Sequence, residues 1–350
     1  MRLVIHAGFG KCGSSAIQFA LAAKQAELRR RSIFLFGEGL SINYRAPRAD
    51  HPFWRVAAVF RDPEERLAVP ARLLRELNRL GASHPNATAV LSAENLSESA
   101  YARLFKGFDE RCETTIVFYI RPQHEWIPSA WKQWGLKSGA PLAAFVKDCL
   151  EQNAPDFRRS IEGWAAALPN ARIVVRVLGQ AVAENGGPAS DFFQVLGLGG
   201  PEWQVRNARA NPSVDFALLN ILNKNPWLFQ HQDDNEPFKA LLRILPERHL
   251  GTNIKMLRLE DEKRIATHFA SDNLALLETY CGSDAASIHE TYFQPRDAGR
   301  AYEDVDPLEM VERGLGIMLE VLIERVGAKP ILRPPYWKIP LRIAERLRRR

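Results

Sequence analysis

Residues 6–15 read His6-Ala7-Gly8-Phe9-Gly10-Lys11-Cys12-Gly13-Ser14-Ser15. An apolar run, Leu3-Val4-Ile5, leads into them, and a helical pattern follows. A strand that feeds a glycine-bearing turn and then opens a helix gathers backbone N–H groups around one point. The helix dipole favours an anion there. Gly13 lets the backbone come close, and Ser14 and Ser15 offer hydroxyl donors at the helix start. The Walker pattern G-x-x-x-x-G-K-[ST] has the spacing of Gly8 and Gly13. Here, however, Ser14 stands where that lysine belongs, and the lysine lies two residues before the second glycine, at Lys11. The turn is therefore expected to hold phosphate without the Walker arrangement for a triphosphate and its Mg²⁺. A strand–turn–helix corner with chance glycines would read the same way in isolation.

A second candidate lies at the end of a later strand, Ile120-Arg121-Pro122-Gln123, followed by His124-Glu125-Trp126-Ile127-Pro128-Ser129. Ligands of open α/β sheets bind beyond the carboxyl ends of the strands. An arginine there presents a planar fork to phosphate. A serine eight residues on can add a hydroxyl to the same group. Taken alone, Arg121 could equally pair with a carboxylate and Ser129 could cap a helix.

The elements that must position these residues alternate along the chain. Strands are expected at 2–6, 32–36, 88–92, 115–120 and 171–177, and helices at 14–30 and 63–80, with a polar loop over 40–55. Strands separated by helical patterns imply an α/β fold with a central parallel sheet covered on both faces. After about residue 205 the pattern turns mainly helical. One unit over 1–332 is expected, an α/β core at 1–205 and a helical extension at 206–332, followed by a basic tail at 333–350.

Together the two motifs resemble the PAPS-dependent sulfotransferase family (PAPS is 3′-phosphoadenosine-5′-phosphosulfate). The first is similar to its 5′-phosphosulfate loop, commonly K-T-G-[ST]-[ST]. The second is similar to its 3′-phosphate site, a strand ending in Arg with Ser eight residues on. Bacterial glycan-type members look closest, and softer similarity runs through Leu91-Ser92-Ala93-Glu94-Asn95-Leu96, Asp191–Gly197 and Asn211-Pro212-Ser213. One departure is Cys12, where Thr is usual, which removes a hydroxyl and leaves the backbone donors.

The resemblance implies a P-loop-like sulfotransferase fold and transfer of a sulfuryl group from PAPS to a hydroxyl or amine, with 3′,5′-ADP as product and no metal required. Gly10, Lys11, Cys12, Gly13, Ser14, Ser15, Arg121 and Ser129 would bind the nucleotide, and Lys11 would meet the bridging oxygen of the leaving group. An acceptor hydroxyl also needs a base. Glu94 after the third strand is the first candidate. Glu38 after the second strand and His51 in the polar loop compete with it. Trp126, Trp131 and Trp134 suit a platform for a glycan or glycolipid acceptor, or ordinary core packing. His6 is expected to pack at a strand end.

Composition narrows the alternatives. Four cysteines, Cys12, Cys112, Cys149 and Cys281, form no C-x-x-C pair and no zinc-like spacing, so a reduced cytoplasm is expected and a structural metal is not. The opening residues already read as a strand, so no signal peptide is expected, and no run of about 18 apolar residues is present. Residues 333–350 hold seven cations and one carboxylate, which is the whole net charge of +6. The basic pI thus reports a tail and not a nucleic-acid surface. Tyr336, Trp337 and the arginines around Leu341 and Leu347 suit peripheral contact with the inner face of a cytoplasmic membrane, or a solvated basic end. A P-loop kinase or other phosphotransferase, and a non-catalytic binding protein on the same scaffold, are the competing functions.

Overall fold

A computed structural model describes residues 1–42, 54–205, 214–250, 254–296 and 300–325. His51, Asn211–Ser213 and the basic tail lie outside them.

Five strands, β1 (Arg2–Ala7), β2 (Ile33–Leu35), β3 (Thr88–Ala93), β4 (Glu113–Ile120) and β5 (Arg172–Val177), form one all-parallel sheet in the order β2-β3-β1-β4-β5. The three inner strands are apolar on both sides, as a sheet covered by helices requires. Val4, Ile5, Val90, Leu91, Ile116 and Phe118 are all fully buried. The expected α/β architecture is thus present. β1 sits at the centre, with β3 on one side and β4 on the other. The chain leaves β1 toward the β2 edge and leaves β4 toward the β5 edge. Their carboxyl ends therefore flank a point where the connections diverge, which is where a crevice opens in such sheets.

Nine helices matter to the argument: α1 (Ser14–Ala23), α2 (Pro63–Ser83), α3 (Gln123–Gln133), α4 (Leu142–Glu151), α5 (Phe157–Ala167), α6 (Pro188–Val195), α7 (Phe216–Lys224), α8 (Leu259–Cys281) and α9 (Pro307–Arg325). The single helix expected over 14–30 is two, because the helix breaks at Lys24 and resumes at Gln25–Arg30. The loop expected over 40–55 ends early, since Trp54–Arg61 is already helical. Local chemistry sets several starts. Asp62 accepts from the Glu64 and Glu65 N–H groups at 2.8 and 3.1 Å ahead of α2, with Pro63 in the first turn.

Two cores result. One surrounds the sheet, and the other is built by α3, α4, α7, α8 and α9, so the expected helical extension is present among the described residues. α8 joins them, with Ile265 and Phe269 in the second core and Leu276 and Leu277 in the first. A reciprocal amide pair between Gln123 and Asn273, at 3.0 and 2.8 Å and buried, fixes the first turn of α3 against α8. Below the sheet's carboxyl edge, Asp191 of α6 is almost wholly buried. It accepts from the Tyr119 hydroxyl at 2.6 Å, from Arg176 and from Asn185. Each lone pair of the buried carboxylate is thus matched, and the ends of β4 and β5 are tied to α6.

Candidate active site

The turn between β1 and α1 is held in an unusual backbone form. Lys11 has φ +65° and Gly13 has φ +91°, both left-handed. A lysine in that region is uncommon and must be held there by its surroundings. Several contacts hold it. The Gly8 N–H donates to the Ala93 carbonyl at 3.0 Å, and the Trp126 Nε1–H donates to the Gly10 carbonyl at 2.7 Å. Close approach explains the glycines. A Cβ on Gly8 would fall 2.4 Å from the Ser14 Oγ. One on Gly10 would lie 3.3 Å from the Trp134 ring and 3.4 Å from Glu94 Oε1. One on Gly13 would lie 2.9 Å from Pro188.

Gly13 precedes α1 as its N-cap, and no side chain caps the helix's first N–H groups. Those donors and the positive end of the dipole face the turn, which is the arrangement an anion suits. Ser14, expected to donate into the turn, instead donates to the Phe9 carbonyl at 3.0 Å and is buried. Its hydroxyl braces the loop and is not a free donor. Ser15 is half-buried beside it. Cys12 is fully buried in the sheet core, and burial pushes its thiol far up. A buried thiol there contributes packing and leaves the loop's backbone donors in place.

Around this turn the fold gathers charges from three strand ends. Burial pulls the Lys11 pKa down, Glu94 pulls it back up, and Arg121 lowers it further. Glu94 is raised by burial, lowered by Lys11 and Arg61, and raised by Asp233. Lys11 thus lies within electrostatic reach of both Glu94 and Arg121, as the three residues follow β1, β3 and β4. Arg121 is held by Glu125 one turn on, Nε to Oε2 3.1 Å, with 28% and 49% of the two side chains exposed. An exposed i,i+4 pair contributes at most about 0.5 kcal/mol, so a phosphate can displace the carboxylate at little cost.

Lys132 is the residue that sequence reading missed. Burial, with the charges of Arg121 and Lys11, brings it from its ordinary 10.5 down to about 8. It stands three residues after Ser129 on α3, one turn along the same helix face. That spacing was the available signal. Asp233 and Arg61 carried no signal, because the segments that bring them in are distant in sequence. Lys137 explains Asp233. It is 96% buried, and its Nζ donates to the Gln232 carbonyl and Asn235 Oδ1, both at 2.8 Å, which fastens the 232–235 turn over α3.

Glu38 is exposed in the short turn after β2, the edge strand, with β3 between it and β1. Trp126 and Trp134 lie half-buried at the turn, ring centroids 6.1 Å apart, whereas Trp131 is core and donates to the Ala140 carbonyl at 2.8 Å. His6 is buried under the loop with Nδ1 2.8 Å from Ser92 Oγ, and burial lowers its pKa to about 3, so it stays neutral. Two clefts of about 330 and 720 Å³ open elsewhere, one along β5 and one among α4, α7 and α9. Neither touches the turn, and neither gathers charge as the crevice does. Among the described residues no group of three His, Cys, Asp or Glu side chains is placed to hold a metal ion, and no helix is long and apolar enough to cross a membrane.

No family model matches the chain, and no solved structure matches it. A protein of Archaeoglobus fulgidus, described as uncharacterized, is 26% identical over 225 residues, which cover 62% of this chain and 59% of that protein. The chain thus spans about three-fifths of that relative's length.

Proposed function

We propose that the chain is a sulfotransferase that moves a sulfuryl group from PAPS to a hydroxyl or amine, with a carbohydrate or glycolipid as acceptor. The observation that carries this reading is the crevice between β1 and β4, where Lys11, Arg121 and Lys132 converge beside an uncapped helix start. Backbone donors, three cations and the close-approach glycines fit a nucleotide with two separated anionic groups. Lys11 and the α1 N–H groups would take the 5′ side, and Arg121 with Ser129 the 3′-phosphate. Ser14 stands where a Walker lysine would be and is turned into the loop, which favours this reading over a triphosphate kinase.

When bound, the donor supplies an activated sulfuryl group whose transfer is an in-line displacement with charge spread over peripheral oxygens. The chain's own groups then have clear tasks. The S–O bond to the acceptor forms as the S–O bond to the donor's phosphate breaks. Lys11 neutralises charge growing on that phosphate oxygen. Glu94 takes the acceptor's proton, and burial raises its pKa toward the range where a carboxylate is an effective base. Trp126 and Trp134 present ring surface beside it for the acceptor. A cytoplasmic location, and the tail as a contact with an anionic membrane, belong to the same reading.

Calorimetry with 3′,5′-ADP tests it. Tight binding is expected, undiminished by EDTA; binding lost in EDTA, or preference for ATP, would overturn the proposal. Arg121→Ala should weaken 3′,5′-ADP by about 2–4 kcal/mol, a factor of roughly 30 to 1,000, and leave 5′-AMP nearly unchanged. Equal losses for both ligands would mean that Arg121 does not read the 3′-phosphate.

The lowered Lys132 adds a pH signature. Below pH 8 it is already charged, so affinity should be flat from about pH 7 to 7.5. A bound anion favours the charged form and raises its pKa. Above pH 8 binding must therefore take up a proton, and affinity falls as pH rises, by up to about tenfold per unit. Calorimetry at pH 9 in buffers of different ionisation enthalpy should show uptake approaching one proton, and Lys132→Met should abolish it.

A further inference from the structure

The last described helix, α9, has two apolar faces. One packs on the fold, with Met310, Gly314, Ile317 and Val321 buried. The other carries Leu308, Val311, Leu315, Met318 and Leu322, which are 45–64% exposed. Their spacing alternates three and four residues, the a and d positions of a heptad repeat. Leu319 and Ile323 widen the stripe along one side, at 58% and 41% exposed. Among the described residues nothing covers it. Scattered exposed leucines need no explanation, but a contiguous stripe along four turns marks an interaction surface.

α9 is also fixed in place. Arg313 forms a two-pronged pair with the buried Asp215, at 2.7–3.1 Å, and Asp215 in turn caps α7. Glu320 is held by Arg248 and by His249 at 2.7 Å, and Glu309 by Arg300 at 2.8 Å. A rigid helix that presents a heptad seam loses little conformational freedom on docking.

We infer that α9 is a self-association helix, paired with α9 of a second copy in an antiparallel, two-fold arrangement. Three features select this occupant. The a/d seam is the pattern that another helix of the same kind fits, knobs into holes. The seven exposed side chains offer on the order of 600 Å² per copy, the lower bound of a standard-size interface. The helix dipoles select the direction: a parallel pair would bring like ends together, whereas the antiparallel pair opposes the two dipoles. In that register Leu315 of one copy faces Met318 of the other, and Val311 faces Leu322.

Sedimentation equilibrium of the full chain tests this. Twice the chain mass of 39.6 kDa is expected at micromolar concentration. Leu315→Asp should give a monomer with an unchanged circular-dichroism spectrum, since the residue is on the open face. Leu315→Cys, near the axis, should be joined between copies by a short bis-maleimide, and Leu308→Cys should not, because the two copies of that residue lie about 25 Å apart in the antiparallel pair. A monomeric wild type, a dimer unaffected by Leu315→Asp, or efficient joining through Leu308→Cys would overturn the inference. So would a monomer that floats with phosphatidylglycerol vesicles only while Leu315 is present, which would assign the stripe to a lipid surface.

Discussion

Lys11→Ala is expected to lower turnover by about 10²–10³-fold while weakening 3′,5′-ADP by roughly tenfold or less. The asymmetry follows from where the charge is needed. In the resting protein the Lys11 ammonium is already taxed by burial and by Arg121, and Glu94 partly compensates it. Its attraction grows only as negative charge develops on the leaving oxygen, so its removal falls mainly on the transition state. The substitution is conformationally fair, because alanine meets the same left-handed backbone at φ +65° that lysine does. Steady-state rates with labelled donor, set beside calorimetric affinities, separate the two effects. Equal losses in rate and in product affinity would make Lys11 an anchor for the ground state and not a stabiliser of the leaving group.

The central sheet was legible because parallel strands buried on both faces leave continuous apolar runs. Leu3-Val4-Ile5 and Ile116–Ile120 are such runs. Lys11, Glu94 and Arg121 were legible for the same reason. Each follows a strand, and parallel strands deliver all their carboxyl ends to one edge. What stayed hidden depended on tertiary packing. Lys137 pulls the 232–235 turn over α3 and so brings Asp233 to Glu94, a relation that no local pattern encodes. The sequence offers Ser14 as a donor into the turn because a hydroxyl can donate, and the structure turns it to the Phe9 carbonyl. The break at Lys24 escaped because helical side chains continue on both sides of it. The exposed seam of α9 is not legible from sequence, because an apolar stripe does not say which of two faces is already covered.

Glu94→Gln should cost about 10²–10⁴-fold in turnover with nucleotide affinity within roughly twofold, whereas Glu38→Gln should be near wild type. Two observations separate these carboxylates. A Cβ at Gly10 would stand 3.4 Å from Glu94 Oε1, so Glu94 lies on the loop itself, beside Lys11. Glu38 is exposed after the edge strand β2, with β3 between it and β1. The sign of the Glu94 shift carries a second expectation. Burial raises its pKa, so the acid limb of the kcat/KM profile should lie above that of an ordinary carboxylate, and Glu94→Gln should erase it. The same shift guards against a trivial explanation. A carboxyl whose folded pKa is raised destabilises the fold above its unfolded pKa of about 4.3, where it must ionise in place, and contributes no such penalty at lower pH. At pH 7 the neutral glutamine removes that penalty, so Tm should hold or rise while turnover falls. A fully active Glu94→Gln beside an inactive Glu38→Gln or His51→Ala would move the base to one of those residues and leave Glu94 as the counter-ion that keeps Lys11 charged.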